Sequence, residues 1–157
     1  MLQNILNYDY LWIRLRVKGG AYGCMSGFGR DGDCYMVSYL DPKLVETNEV
    51  YDKLPEYLEQ FDQDERSMDR YVIGAISEMD IPKNPAALGV RGLTAYLSGI
   101  TREQLQKERD EVIDTDAKEI RALVPYAKAV LSNNCLCVVG NENKIKENSS
   151  LFTTVRS

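Results

Sequence analysis

The stretch RVKGGAYGCMSGFGRDGDCYMVSYL, residues 16–40, decides how this chain folds. Gly19-Gly20 ends whatever helix precedes it. Ala21 to Phe28 and Cys34 to Leu40 are rich in aromatic, β-branched and small residues and read as two strands. The link Gly29-Arg30-Asp31-Gly32-Asp33 holds an Asp-Gly pair, which marks a hairpin. Upstream, Leu2, Ile5, Leu6, Tyr10 and Ile13 fall near helical spacing, so a helix is expected from Leu2 to Arg16. Nothing before Leu2 caps that helix, as in a chain cut from a longer protein.

Downstream the pattern turns helical. Asp41-Pro42 starts a helix with Leu44, Tyr51, Leu54, Leu58 and Phe61 on one stripe and a kink at Pro55. Asp62 with Glu65 resembles a capping pair for a helix carrying Met68, Val72, Ala75, Ile76 and Met79. After a turn at residues 80–85, a short helix runs from Ala86 to Leu97 and stops at Ser98-Gly99. Thr101-x-x-Gln104 is a capping box for a helix reaching about Ile113. Thr115 starts a last long helix that buries Ile120, Leu123, Val124, Ala127, Val130 and Leu131 despite Pro125. Asn133-Asn134 breaks it, and Cys135 to Val139 is expected as a central third strand, followed by a terminal helix. The fold class is therefore α+β, with an antiparallel sheet packed on one face by several helices.

The 157 residues make one domain the expectation, 1–157, and 44% apolar with 27% charged residues describe a globular chain. Its 19 Lys and Arg are interleaved with 24 Asp and Glu, for a net charge of −5, which argues against a nucleic-acid partner. No apolar stretch approaches the roughly 20 residues of a membrane span, and no signal peptide opens the chain, so a cytoplasmic location is expected. The four cysteines, at 24, 34, 135 and 137, lack the paired spacing of a zinc knuckle and read as reduced thiols on strands. The chain has no histidine, so the commonest metal ligand and the commonest general base are both missing.

The candidate functional residues lie around the two glycines. Arg16 offers a planar fork of donors and Tyr22 a single directed hydroxyl, and both could be aimed at one peptide carbonyl. Gly19 and Gly20 would let the backbone between them turn and approach a substrate. A plainer reading stands beside this one: an arginine complements the dipole at a helix C-terminus, and Gly-Gly is a common helix stop. A phosphate-binding loop is excluded, because the G-x-x-x-x-G-K-[ST] pattern is missing and the glycines follow a helix instead of a strand. Arg91 is expected at the surface, and Tyr10, Trp12, Tyr51, Tyr57, Tyr71 and Tyr96 as core and rim aromatics. Lys18 and the mixed-charge run from Glu103 to Asp116 are expected in solvent.

The segments YDYLWIRLRVKGGAYG (8–23), SYLDPKLVETNEVYDKLPEYL (38–58) and NPAALGVRGLTAYLSGITREQLQKERDEV (84–112) together resemble the C-terminal part of presequence-protease-type members of the insulinase (pitrilysin) family of zinc metallopeptidases. The Arg-x5-Tyr pair within R-V-K-G-G-A-Y-G carries that resemblance most sharply. It implies a half-domain of the insulinase and mitochondrial-processing-peptidase type, lacking N-terminal strands of its sheet. It also implies a role: this C-terminal part closes a chamber for unfolded peptides over an N-terminal half bearing zinc in an H-x-x-E-H motif. Arg16 and Tyr22 then match the pair that contacts the substrate carbonyl. With no histidine, zinc binding cannot be assigned here, so the resemblance implies no cofactor in this chain, zinc in the intact enzyme, and inactivity in isolation. The alternative is a non-catalytic scaffold or partner subunit of a heteromeric peptidase. An incomplete sheet would also leave an edge or apolar face through which the chain self-associates.

Overall fold

Leu2 to Val17 form one continuous helical segment whose winding is unusual, and the rest of the molecule is arranged around it. The computed structural model describes residues 1–156. The segment is α-helical over Leu2–Ile5 (α1) and π-helical over Leu6–Tyr10 and Trp12–Val17. In the π turns, backbone N–H groups reach carbonyls five residues back, as Leu11 does to Leu6 and, at 3.0 Å, Lys18 does to Ile13. Its inward face is therefore not the 3.6-residue stripe expected from the sequence. Ile5, Tyr10 and Leu15 recur every five residues, Leu6 and Leu11 do the same, and all five are buried. Ile13, expected on the inner face, is exposed, because the wider turn carries it past the core.

The hairpin follows. Strands β1 (Gly23–Phe28) and β2 (Cys34–Tyr39) pair antiparallel with Gly23 opposite Tyr39 and Phe28 opposite Cys34. The expected link closes them: the Gly29 N–H donates to the Asp33 carbonyl at 2.7 Å, and Gly32 takes φ +94°. The inner face, with Cys24, Ser26 and Met36, lies against the opening helix. On the outer face the Tyr39 and Tyr35 rings cover Gly23 and Gly27, filling space that those glycines leave open.

Asn7 fixes the strand to the helix. Its Oδ1 accepts from the Ser26 backbone N–H at 2.5 Å and from Ser26 Oγ at 2.8 Å, while its Nδ2 donates to the Ser26 carbonyl at 3.3 Å. One side chain thus satisfies both backbone groups of a strand residue that is only 1% exposed.

The helices that follow are α2 (Val45–Asp52), α3 (Leu54–Glu59), α4 (Glu65–Met79), α5 (Pro85–Leu97), α6 (Arg102–Asp114), α7 (Ala117–Arg121), α8 (Val124–Ser132) and α9 (Glu142–Glu147), with a 3₁₀ turn at Ser149–Leu151. The molecule is α+β, as expected. Leu54, Leu58, Phe61, Met68, Tyr71, Ile120 and Val124 pack on the opening helix to complete the core. The Tyr10 hydroxyl donates to the Val50 carbonyl at 2.6 Å, and the Tyr71 hydroxyl donates to Asp9.

Several boundaries differ from the sequence reading for local reasons. The helix expected after Pro42 is two helices broken at Lys53, which places Pro55 in a first turn where its missing N–H costs nothing. The helix from Thr115 divides in the same way, with Pro125 in the first turn of α8 and an Asp116/Glu119 capping box opening α7. Asp64, not Asp62, caps α4, accepting from the Ser67 N–H at 2.8 Å. The Thr101/Gln104 box forms as read.

The third strand is corrected. Residues 135–139 form no ladder with β1 or β2, and the sheet of the described residues has two strands. The apolar alternation does produce half-buried Leu136 and Val138, but Val139 is almost wholly exposed. A strand needs a neighbour about 4.8 Å away, and a groove of about 820 Å³ lined by both β2 and residues 135–139 lies here instead. Asn134, at φ +46°, turns the chain into that position.

Helix α5 has no buried residue, although Leu88, Val90, Leu93, Tyr96 and Leu97 lie on it. Arg91 is exposed as expected, whereas Tyr96, expected in the core or its rim, stands in solvent. The run from Glu103 is a solvated helix face, with Lys107 to Glu111 at 3.6 Å and Arg109 forked onto Asp80 at 2.6 and 2.7 Å.

Candidate functional site

The end of the opening helix sets the site. Arg16 lies in its last π turn, which ends at Val17 with Lys18 as the cap, and Gly19 and Gly20 follow directly. A Cβ on Gly19 would fall 2.4 Å from the Leu15 carbonyl oxygen, and Gly20 has φ +86°. Both positions therefore require glycine as the helix ends, and both turn the chain toward β1. The Gly20 N–H donates to the Arg16 carbonyl at 3.1 Å and the Ala21 N–H to the Leu15 carbonyl at 2.9 Å, so the last carbonyls are satisfied within the turn. Ala21 is buried, and the Tyr22 N–H then bonds the Leu40 carbonyl at 3.3 Å.

This turn brings the two expected site residues together. The Arg16 guanidinium carbon lies 5.4 Å from the centre of the Tyr22 ring and 4.8 Å from that of Trp12. Tyr22 is 61% exposed and its ring meets Tyr39 edge-on at 5.6 Å. Unlike the Tyr10 and Tyr71 hydroxyls, which are committed to Val50 and Asp9, the Tyr22 hydroxyl has no hydrogen-bond partner among the described residues. Trp12, Arg16, Val17, Gly20, Tyr22 and Leu40 line a shallow open depression of about 580 Å³. Burial pushes the Cys24 thiol up, and the nearby Arg16 charge partly offsets that shift. The arrangement can present a cation and a hydroxyl from one wall to an extended chain lying across it.

Trp12, Val17, Ala21 and Leu40 line this depression outside the sequence-derived site. Trp12 is grouped with the core and rim aromatics there, although its i,i+4 spacing from Arg16 was a usable signal. Leu40 carries no such signal: it is 77% exposed and held at φ +47°, a conformation that its sequence does not announce.

A metal does not fit. The chain has no histidine, and among the described residues no three Cys, Asp or Glu side chains converge. Cys24 and Cys34 are partly buried at the hairpin, whereas Cys135 and Cys137 are exposed.

The end of the opening helix thus presents Arg16 and Tyr22 together beside a two-stranded hairpin. The profile described as PreP C-terminal domain matches residues 1–140, and the chain belongs to that family. Among its curated relatives, Protein HypA of Clostridium perfringens is 47% identical over all of this chain. Presequence protease 1, chloroplastic/mitochondrial, of Arabidopsis thaliana is 35% identical over 80% of it, and the mitochondrial presequence protease of Schizosaccharomyces pombe is 28% identical over 85%. The chain spans only 16%, 11% and 13% of the lengths of these relatives.

Proposed function

We propose that this chain is the substrate-binding, chamber-closing C-terminal part of a zinc-dependent oligopeptidase that hydrolyses unfolded peptides. The observation that carries the reading is the paired presentation of Arg16 and Tyr22, both free of acidic partners among the described residues, at the rim of an open depression. Zinc would be held by an N-terminal half of the protein and, when bound, would supply activated water for attack on the scissile carbonyl. Arg16 and Tyr22 donate to the oxygen of that carbonyl as negative charge develops on it, and Gly19-Gly20 let the connecting backbone lie close to the peptide. The scaffold alternative explains neither of these unspent donors.

By this reading the isolated chain turns over no peptide, and hydrolysis of an unstructured fluorogenic peptide requires zinc, the metal-binding half and this segment together. Turnover by the isolated chain, or full activity of the zinc half without it, would sink the proposal. The expected cytoplasmic location is part of the same proposal. Presequence protease relatives carry organelle names, so cell fractionation is its test.

The partner half also gives the apolar surface of α5 something to cover it. Leu88, Val90, Leu93, Tyr96 and Leu97 are all exposed on this one helix, and large apolar side chains grouped in this way mark a surface that a partner covers. In isolation the chain is expected to self-associate, seen as a concentration-dependent rise in mass by light scattering together with binding of an apolar dye. A strictly monomeric profile without dye binding would count against an uncovered face.

A further inference from the structure

Several arginines of this chain are committed to oxygen acceptors. Arg30 is forked onto Glu108, Arg109 onto Asp80, and Arg121 donates to the Phe61 carbonyl at 2.5 Å. Arg16 has no ion pair and no side-chain hydrogen bond among the described residues, and its guanidinium instead sits by two aromatic faces, Trp12 at 4.8 Å and Tyr22 at 5.4 Å. An aromatic face attracts a guanidinium through its quadrupole without consuming any of its five N–H donors. A forked carboxylate would have taken two of them, as Asp80 does from Arg109.

We propose that Trp12 is the positioning residue for Arg16: its indole restricts the guanidinium to the side facing Tyr22 while leaving the donors available for a substrate carbonyl. This rests on the peptidase reading given above. A free arginine must surrender side-chain rotamer entropy when it binds, and a preorganised one surrenders less at the moment of reaction. The placement follows from the backbone, since Trp12 and Arg16 belong to the same π-helical stretch. Trp12 is 41% exposed, so its outer part lies at the surface beside the depression instead of filling the core.

The test uses the assembled zinc peptidase carrying this segment. Trp12→Ala should lower kcat about tenfold with little change in KM, and Trp12→Phe should restore most of the loss. In an Arg16→Ala background, Trp12→Ala should cost nothing further. Arg14 stacks similarly on Tyr10 at 4.2 Å and on Tyr57 at 5.4 Å, so Arg14→Gln controls for loss of a stacked arginine elsewhere and should leave kcat unchanged.

A separate readout needs no activity. Trp12 is the sole tryptophan of this chain, so Arg16→Ala should shift the indole emission of the isolated protein. An equal loss from Trp12→Ala in both backgrounds, or an unshifted emission, overturns the positioning role even if Arg16 proves essential. If Arg16→Ala leaves turnover intact, the peptidase reading of the site fails and the inference fails with it.

Discussion

Tyr22→Phe in the assembled peptidase is expected to lower turnover about 10²–10³-fold while leaving the melting temperature of this segment almost unchanged. The asymmetry follows from where the hydroxyl is. It is exposed, and no group among the described residues loses a hydrogen bond when it is removed, so the folded state loses little, within about 0.5 kcal/mol. If the hydroxyl donates to a peptide oxygen during hydrolysis, its removal takes away a charge-assisted hydrogen bond formed in the transition state, worth about 3–4 kcal/mol. Arg16→Ala should fall into the same range, and the double variant should fall short of the product of the two losses, because both groups address one oxygen. Steady-state kinetics on one unstructured peptide, with thermal melts of each variant, check both arms. Turnover within twofold of the parent for both single variants would return Arg16 and Tyr22 to a helix terminus and a surface aromatic.

The second large effect is on stability and lies away from the site. Asn7→Leu should destabilise the chain by about 3 kcal/mol, because the Ser26 N–H and hydroxyl both lose their acceptor in a place water does not reach, at about 1–3 kcal/mol for each unsatisfied buried group. For a chain of this length that corresponds to a fall in Tm of roughly 6–12 °C. Asn7→Asp keeps the acceptor and should lose less. Ser26→Ala removes only the hydroxyl and should be less damaging again, and the double variant should be nearer to Asn7→Leu alone than to the sum, since the two residues share their bonds. Hydrogen exchange at the Ser26 amide should accelerate in Asn7→Leu. An unchanged melt and an unchanged exchange rate would show that the helix and strand are held together by packing alone.

These two cases mark how much could be read in advance. The hairpin was legible because Gly29 to Asp33 carries turn chemistry that few other structures use, and the Thr101/Gln104 box was legible because its residues bond to each other across one turn. The closeness of Arg16 and Tyr22 was legible, since only five residues, with a glycine stop among them, separate the two. The Asn7–Ser26 contact joins residues 19 positions apart and depends on a helix and strand already being packed. Nothing local encodes it. The apolar alternation of Cys135 to Val139 showed an extended chain, but alternation describes a backbone conformation and not the presence of a neighbour, and the groove beside β2 intervenes. The five-residue recurrence of buried positions in the opening helix was hidden by the assumption of an α-helical repeat.

That winding has a bearing on how this segment can vary. Leu15 packs into the core and Arg16 beside it addresses the depression, so the interior and the working surface are separated by a single step along the backbone. In an α-helix one residue is about 100° of rotation, and in a wider π turn it is less but still a large part of a quadrant. Gaining or losing a residue within Trp12–Val17 would carry Arg16 away from Tyr22 or pull Leu15 out of the core, and no exchange of side chains elsewhere would compensate. Residue identity around the turn can drift while its length stays fixed, so in this part of the molecule residue spacing is the more constrained quantity.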